Sequence, residues 1–298
     1  MNRRTIPGLN ARANTDMPVL LPYVDKGFIG SDPVGFSRWI ASFSPWTLLF
    51  LTAVVLLWPL TAYAASNYTY GQAVQALIKW LPFLVGSGFL FNVIISLMTM
   101  LLGTVSGVVL GLAQISPHFW IRAPAKFITQ LFRNSPWLVL LFIVLLAFPF
   151  EITVGSLIIS IPDWMKAVVG LSLPIMANIS EVVRGAVNSV PSGQWEAAES
   201  LAYTRQQTLW QIILPQCFKR MIPPWMNWYA ILTMATPLCS LLGVEELITL
   251  SRQAIEAEDN HPELLVPFYS FALLIFFAYC YPIARFTIRL EKRFAVKL

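Results

Sequence analysis

Six apolar stretches, each near the length needed to cross a bilayer, constrain this chain more than any other feature. They fall at about 46–65, 83–113, 127–149, 164–188, 221–244 and 264–284. A helix needs roughly 20 mainly apolar residues to span the hydrocarbon, and in lipid only helices or closed barrels satisfy every backbone N–H and C=O. Runs of this length imply helices, so the expected fold is an all-α membrane protein of about six transmembrane helices. Composition agrees: 57% of residues are hydrophobic and 12% charged, roughly half the charge of an ordinary soluble domain. The run at 83–113 exceeds one crossing, so a tilt, a bend near Gly103 and Gly107, or a start outside the hydrocarbon core is expected. Ala62-Tyr63-Ala64 imitates a leader-peptidase site, but the polar segment ahead of the first apolar run is far longer than a leader's basic region, so that run is read as a retained span.

Orientation follows from Lys and Arg, which resist translocation. With the N-terminus inside, the inner segments hold Arg3, Arg4, Arg12, Lys26 and Arg38, then Arg122 and Lys126, then Arg205, Lys219 and Arg220, and finally Arg285, Arg289, Lys292, Arg293 and Lys297; the outer segments hold only Lys79, Lys166 and Arg252. The bias sets both termini in the cytoplasm. It also accounts for the net charge of +5 without nucleic acid, since the cations flank apolar spans and form no stripe interleaved with aromatics. The outer segment 245–263 is acidic, with Glu245, Glu246, Glu256, Glu258, Asp259 and Glu263. Cys217, Cys239 and Cys280 lack CxxC or Cys/His spacing and read as small packing residues, with no metal site. His118, in an inner loop with no second His nearby, reads as a solvated residue.

Between the fourth and fifth spans lies a polar, helix-prone loop, Glu196–Pro215, that this topology puts in the cytoplasm. Pro191 ends the preceding span and Ser192 is positioned to cap a helix that carries Glu196 and Glu199 in its first turns, where carboxylates favour the positive helix end. Trp195 and Leu201 are expected to anchor it. Ala202-Tyr203-Thr204-Arg205 reads as a corner, with Thr204 capping a second helix whose apolar face is Leu209, Ile212 and Ile213. Pro215 is expected to end or kink that element. Two short helices presenting small residues and carboxylates suit a groove on a soluble partner. An amphipathic helix lying in the interface, anchored by Trp195 and Trp210, is the competing reading; it calls for a Lys/Arg-rich polar face, and residues 192–210 offer Arg205 alone beside two glutamates.

The residues of this loop resemble the coupling loop of ABC-importer permease subunits, in which E-A-A is followed by a small residue and then I-x-L-P. The run Glu181-Val-Val-Arg184-Gly185-Ala-Val-Asn-Ser189-Val190-Pro191-Ser-Gly193-Gln194-Trp195-Glu196-Ala197-Ala198 is similar to one typical of the polar-amino-acid uptake subfamily, as are Arg133-Asn134-Ser135-Pro136, Leu214-Pro215-Gln216 and Gly243-Val244-Glu245-Glu246-Leu247. The resemblance covers about residues 85–293. It implies a type I importer fold and a loop, within 189–220, in which Gly193, Glu196, Ala197, Ala198, Glu199, Ala202, Arg205, Leu214 and Pro215 meet an ABC ATPase subunit. It also implies a second permease subunit, identical or similar, an extracytoplasmic solute-binding protein, and residence in the bacterial inner membrane. No G-x-x-x-x-G-K-[ST] occurs, so this chain is read as carrying no cofactor and no catalytic residue, with ATP and Mg on the partner ATPase.

The organisation expected is a cytoplasmic segment at 1–45, an extra span and outer loop at 46–82, a permease core at 83–293 and a tail at 294–298. Three departures from the family pattern stand out. Ala202 replaces the usual Gly, so the corner is expected to be reachable without left-handed backbone. Asn134-Ser135 replace Gly-Thr, and Leu232-Thr-Met-Ala-Thr-Pro237 replaces a run that usually carries charge.

Ionisable residues inside spans are costly and mark candidate pathway or gate positions. Arg133, Glu181 and Arg184 are three such residues; Glu181 and Arg184 are one turn apart and suited to pair with each other or with Arg133. Asn178, one step upstream, and Asn227, Thr233 and Thr236 are polar candidates for the route, the competing role for each being an interhelical hydrogen bond. Pro162, Pro174 and Pro237 are expected to kink their spans. The function expected is an ABC importer permease for polar amino acids or related solutes. An ion-driven secondary transporter is one alternative, but it calls for inverted repeats and the two halves of this chain show no convincing one; a non-transporting scaffold is the other.

Overall fold

The computed structural model describes residues 68–154 and 157–294; the predicted span at 46–65 lies outside them. Among the described residues, three helices are long and apolar enough to cross a membrane, Tyr70–Gln114, Asp163–Asn188 and Pro262–Phe294, and two bent pairs bring the number to as many as five. The long first helix comprises α1 (Tyr70–Phe83), a π-turn at Leu84–Phe89 and α2 (Leu90–Gln114). Residues 70–82, expected in an outer loop, are thus helical. At 45 residues the helix measures about 68 Å, more than twice a hydrocarbon core of about 30 Å.

The irregularity of this helix is not at Gly103 and Gly107, where α2 is regular. It is the π-turn that follows Pro82, in which the Leu90 N–H reaches back to the Val85 carbonyl. Gly103, Gly107 and Gly111 serve packing instead. A Cβ on Gly103 would sit 2.5 Å from Ile175 Cγ2, one on Gly107 2.8 Å from both Ile179 Cβ and the Met176 carbonyl oxygen, and one on Gly111 2.7 Å from Val183 Cβ. The four-residue spacing sets all three on one face, and only hydrogen atoms fit where the next helix approaches.

That next helix is α5 (Asp163–Asn188), reached through α3 (Phe119–Arg133), α4 (Trp137–Ala147) and a β-hairpin. The span expected at 127–149 is not one continuous helix: α3 and α4 meet at 106°. Asn134-Ser135-Pro136 breaks the helix because proline removes a donor and pushes its predecessor out of the α region. The expected all-α fold is also amended, since β1 (Glu151–Val154) pairs antiparallel with β2 (Leu157–Ser160), Ile152 opposite Ile159 and Thr153 opposite Ile158. β-branched residues fit such a ladder better than a helix.

α5 is the hub, its buried residues running from Lys166 to Val187. Ile175, Ile179 and Val183 meet the glycines of α2, and Leu141 of α4 closes on Gly170. Pro162 N-caps α5 and does not kink it, while Pro174 lies inside the helix. Lys166, fully buried, is held by Asp163 at 3.3 Å and lies over the Phe150 ring.

After α6 (Ser192–Ser200) and α7 (Arg205–Gln207), a π-turn at Thr208–Ile213 leads into α8 (Leu214–Ala235) and a 3₁₀ turn at Thr236–Leu242. The helical run therefore begins at Arg205, well before the expected 221. Pro215 does not end it: the π-turn shifts the Leu214 N–H to the Leu209 carbonyl, and proline takes a position at the start of α8 where a missing donor is tolerated. Gly243, at φ +80, turns the chain into α9 (Leu247–Ala257), and α10 (Leu265–Phe294) completes the bundle. Lys79 and the Trp80 indole donate to Glu258 at 2.6 and 2.9 Å. Those hydrogen bonds hold the Glu258 carboxyl below the ordinary carboxylate range.

Gly107→Ala is expected to lower the thermal midpoint of the purified protein, because a methyl group there costs about 1–3 kcal/mol of overpacking. Gly185→Ala, whose Cβ meets nothing within 4 Å, should leave it unchanged or raise it. Equal midpoints in a fluorescence-detected melt would contradict the close contact.

Candidate functional site

The loop between α5 and α8 is built by two complementary caps. α6 starts with Pro191 at the N-cap, so Ser192 is the first helical residue and not the cap expected of it. It ends in a Schellman arrangement, in which the Tyr203 N–H bonds the Ala198 carbonyl at 3.1 Å and the Ala202 N–H bonds the Glu199 carbonyl at 2.9 Å. This geometry needs a left-handed residue after the C-cap, and Ala202 supplies it at φ 58°. The expectation that the corner avoids left-handed backbone is therefore wrong: alanine takes up the glycine conformation because the two hydrogen bonds and burial of Ala198, 2% exposed, hold it there. Thr204 then caps α7 as expected. Its Oγ1 accepts from the Gln207 N–H at 3.3 Å, while its own N–H donates to Gln207 Oε1 at 2.9 Å.

The loop is fastened to the bundle by a small apolar core. Ala186, Val187 and Val190 from the end of α5 meet Ile213 and Cys217, with Trp195, Leu209 and Ile212 packed against them. The expected apolar face of Leu209, Ile212 and Ile213 is thus present, and Trp195 is an anchor. Leu201 is not: at the C-cap it is 72% exposed, whereas Ala198 on the same helix is buried. Arg220 donates to the Ser189 carbonyl at 2.7 Å and to its Oγ at 2.8 Å, and Gln216 donates to Gln194. Glu196, Ala197, Glu199, Gly193, Ala202, Arg205 and Pro215 remain exposed, and Leu214 is half-buried. The Arg205 guanidinium stands 6.0 Å from the Trp195 ring centre.

A second cluster joins three of the predicted intramembrane residues. Arg184 Nη2 lies 2.6 Å from Glu181 Oε2 and its Nε donates to Oε1 at 3.1 Å, while Arg133 Nη1 stands 3.6 Å from the same carboxylate. Both pairings anticipated from spacing therefore occur at once. Asn178 and Thr233 are buried away from this cluster, and each donates to a carbonyl of its own helix, Pro174 and Tyr229 respectively.

Two buried networks escaped the sequence reading. Gln114, Thr129 and Ser180 bind one another at 3.0–3.1 Å where α2, α3 and α5 meet. On the other side of the bundle, Glu246, one of the acids of the segment expected outside, is fully buried. It caps α9 by accepting from the Ile248 and Thr249 N–H groups at 3.0 Å, and Asn92 donates to it and to Thr236 at 2.9 Å. The lone Asn92 within an apolar run was the available signal. Asn227 lines a cleft of about 660 Å³ between α8 and α10.

The fold agrees with comparison to known proteins. Residues 103–295 match the family described as binding-protein-dependent transport system inner membrane component. The chain belongs to this family. It is 34% identical over 218 residues to a probable amino-acid ABC transporter permease, YckA, of Bacillus subtilis, which spans 73% of this chain and 92% of that protein. It is 30% identical to the L-cystine transport system permease TcyB of the same organism, over 71% and 86% of the two chains. Among solved structures it is similar to an amino acid ABC transporter with histidines, at a TM-score of 0.63 and 21% identity over 76% of this chain and 100% of that one. It is also similar to the inward-facing MetNI methionine ABC transporter, at 0.57 and 15% identity over 72% and 98%. Those likenesses establish the fold as that of a type I ABC importer permease.

Replacing Ala202 with Gly is expected to stabilise the loop by about 1 kcal/mol, since glycine adopts left-handed backbone without the Cβ penalty, and Ala202→Val should destabilise it. Amide exchange of the 196–205 segment measures this; equal protection in all three proteins would contradict the strained corner.

Proposed function

We propose that this chain is the membrane permease subunit of an ATP-driven importer for polar amino acids or closely related solutes in the bacterial inner membrane. The permease relatives that carry amino acids and the match over residues 103–295 support the transport class. The observation that carries the mechanism is the loop: an exposed surface of Glu196, Ala197, Glu199 and Leu201 whose underside is packed into the ends of α5 and α8. A partner gripping that surface moves two bundle helices together.

In this reading an ABC ATPase subunit holds ATP and Mg and docks on residues 192–215, while the permease chain holds no cofactor. Closure of the ATPase pair displaces the loop, and α5 passes the displacement to α2, α3 and α4 through its glycine-lined and small-residue contacts. A second permease subunit, identical or similar, completes the pathway, and an extracytoplasmic binding protein delivers the solute at the opposite end. Six spans with both termini inside fit the Lys and Arg distribution. The Arg133–Glu181–Arg184 cluster sits where the route narrows toward the loop in this scheme, and Asn178 and Thr233 lie along helices that border it.

Glu196→Lys is expected to cut ATP-driven uptake in proteoliposomes at least tenfold, by analogy with the loss of a desolvated charge contact, with insertion and thermal stability unchanged. Normal uptake and normal assembly with the ATPase would refute the docking role.

A further inference from the structure

A cleft of about 620 Å³ lies between the end of α2, the first half of α3, the end of α5 and the cytoplasmic loop. Its ionisable lining is His118, Arg122, Lys126, Arg184 and Arg205, and no carboxylate lines it. Arg184 is neutralised by Glu181 and Arg205 leans on Trp195. Arg122 and Lys126 form no ion pair among the described residues, so two of the cations converging here lack a counter-charge. Like charges gathered around one cavity repel, and an anion held among them relieves that repulsion.

The neighbouring surface indicates which anion. Helical spacing divides α3 into three faces. Ala125 and Thr129 are buried against the bundle. Arg122, Lys126 and Arg133 share a basic face. Trp120, Pro124, Phe127, Ile128 and Leu131 share a third face that no other element covers among the described residues, with Trp120 85%, Phe127 67% and Leu131 48% exposed. α3 also lies at 106° to α4, so where α4 runs along the membrane normal α3 lies along the interface, as amphipathic interfacial helices do. Acyl chains fit the apolar face while a headgroup phosphate reaches the cations beside it, and basic pockets between membrane helices on the cytoplasmic side are suited to anionic lipids.

We propose that this cleft binds the phosphate of an anionic phospholipid, which wedges between α3 and the cytoplasmic loop. The proposal rests on the cytoplasmic placement of the loop in the reading above. A lipid seated there touches Arg205 together with Trp195 and Leu209, the last two of which pack the loop against the bundle, and so links membrane composition to the loop's position.

The test is native mass spectrometry of the assembled importer titrated with phosphatidylglycerol or phosphatidylcholine. Retention is read without any transport measurement, so a wrong substrate or coupling assignment leaves it interpretable. The wild-type complex should retain phosphatidylglycerol in preference to phosphatidylcholine. Arg122→Gln with Lys126→Gln should weaken that retention by roughly tenfold or more. Removing the same charge elsewhere, Arg289→Gln with Lys292→Gln, should leave it within about twofold, and the swap Arg122→Lys with Lys126→Arg should restore it. Equal loss in both double variants would overturn the site, as would equal retention of phosphatidylcholine. Displacement of the lipid by inorganic phosphate, at concentrations matched for charge, would identify a soluble-anion site and overturn the lipid assignment.

Discussion

The contact on which this structure depends is the approach of α2 to α5 along Gly103, Gly107 and Gly111. Lipid offers no hydrophobic drive for helices to associate, so affinity in the bilayer comes from close packing and buried polar contacts. Hydrogen atoms on three glycines let Ile175, Ile179 and Val183 reach the backbone of α2. Near the Gly111 end of that seam, Gln114, Thr129 and Ser180 add hydrogen bonds that lipid cannot supply. The result is a central helix held along its whole length, with the polar loop attached to one of its ends.

Attachment of the loop follows a different logic. Each surface helix is too short to be stable alone, so caps and a small apolar core hold them: the Schellman turn at Ala202, the Thr204–Gln207 box, and the Ile213–Cys217–Val187 contact. The Arg220–Ser189 bonds add a direct tie between α8 and the end of α5. Rigidity at the underside leaves the carboxylates and Leu201 free for a partner. That division, fixed below and exposed above, is what a lever requires.

Much of this was legible in the sequence wherever a local rule decided the outcome. Runs of apolar residues located the long helices, Thr204 declared its cap, and a three-residue spacing paired Glu181 with Arg184. What stayed hidden involved partners distant in the chain. Gly103 and Gly107 read as weak points in a helix because the Ile side chains that need the space lie some 70 residues away. Hydropathy averaged across Asn134–Pro136 and so merged two helices that meet at a steep angle. Glu246 read only as one acid among six in the segment expected outside, since only the fold brings Asn92 to it. Ala202 misled in the other direction: its identity argued against a left-handed turn, and tertiary contacts imposed one regardless.

The central claim is that the loop and the inner ends of α5 and α8 move as one body. Electron–electron distance measurements on the assembled importer test it most directly, with spin labels at Glu199 and Lys219 of one permease, and separately at Glu199 of both permeases. Between the nucleotide-free and ATP-bound states, the distance within one subunit should keep its position and width while the distance between subunits shifts. An internal distance that changes as much as the distance between subunits would show a loop that moves independently of the helices, and would contradict the account.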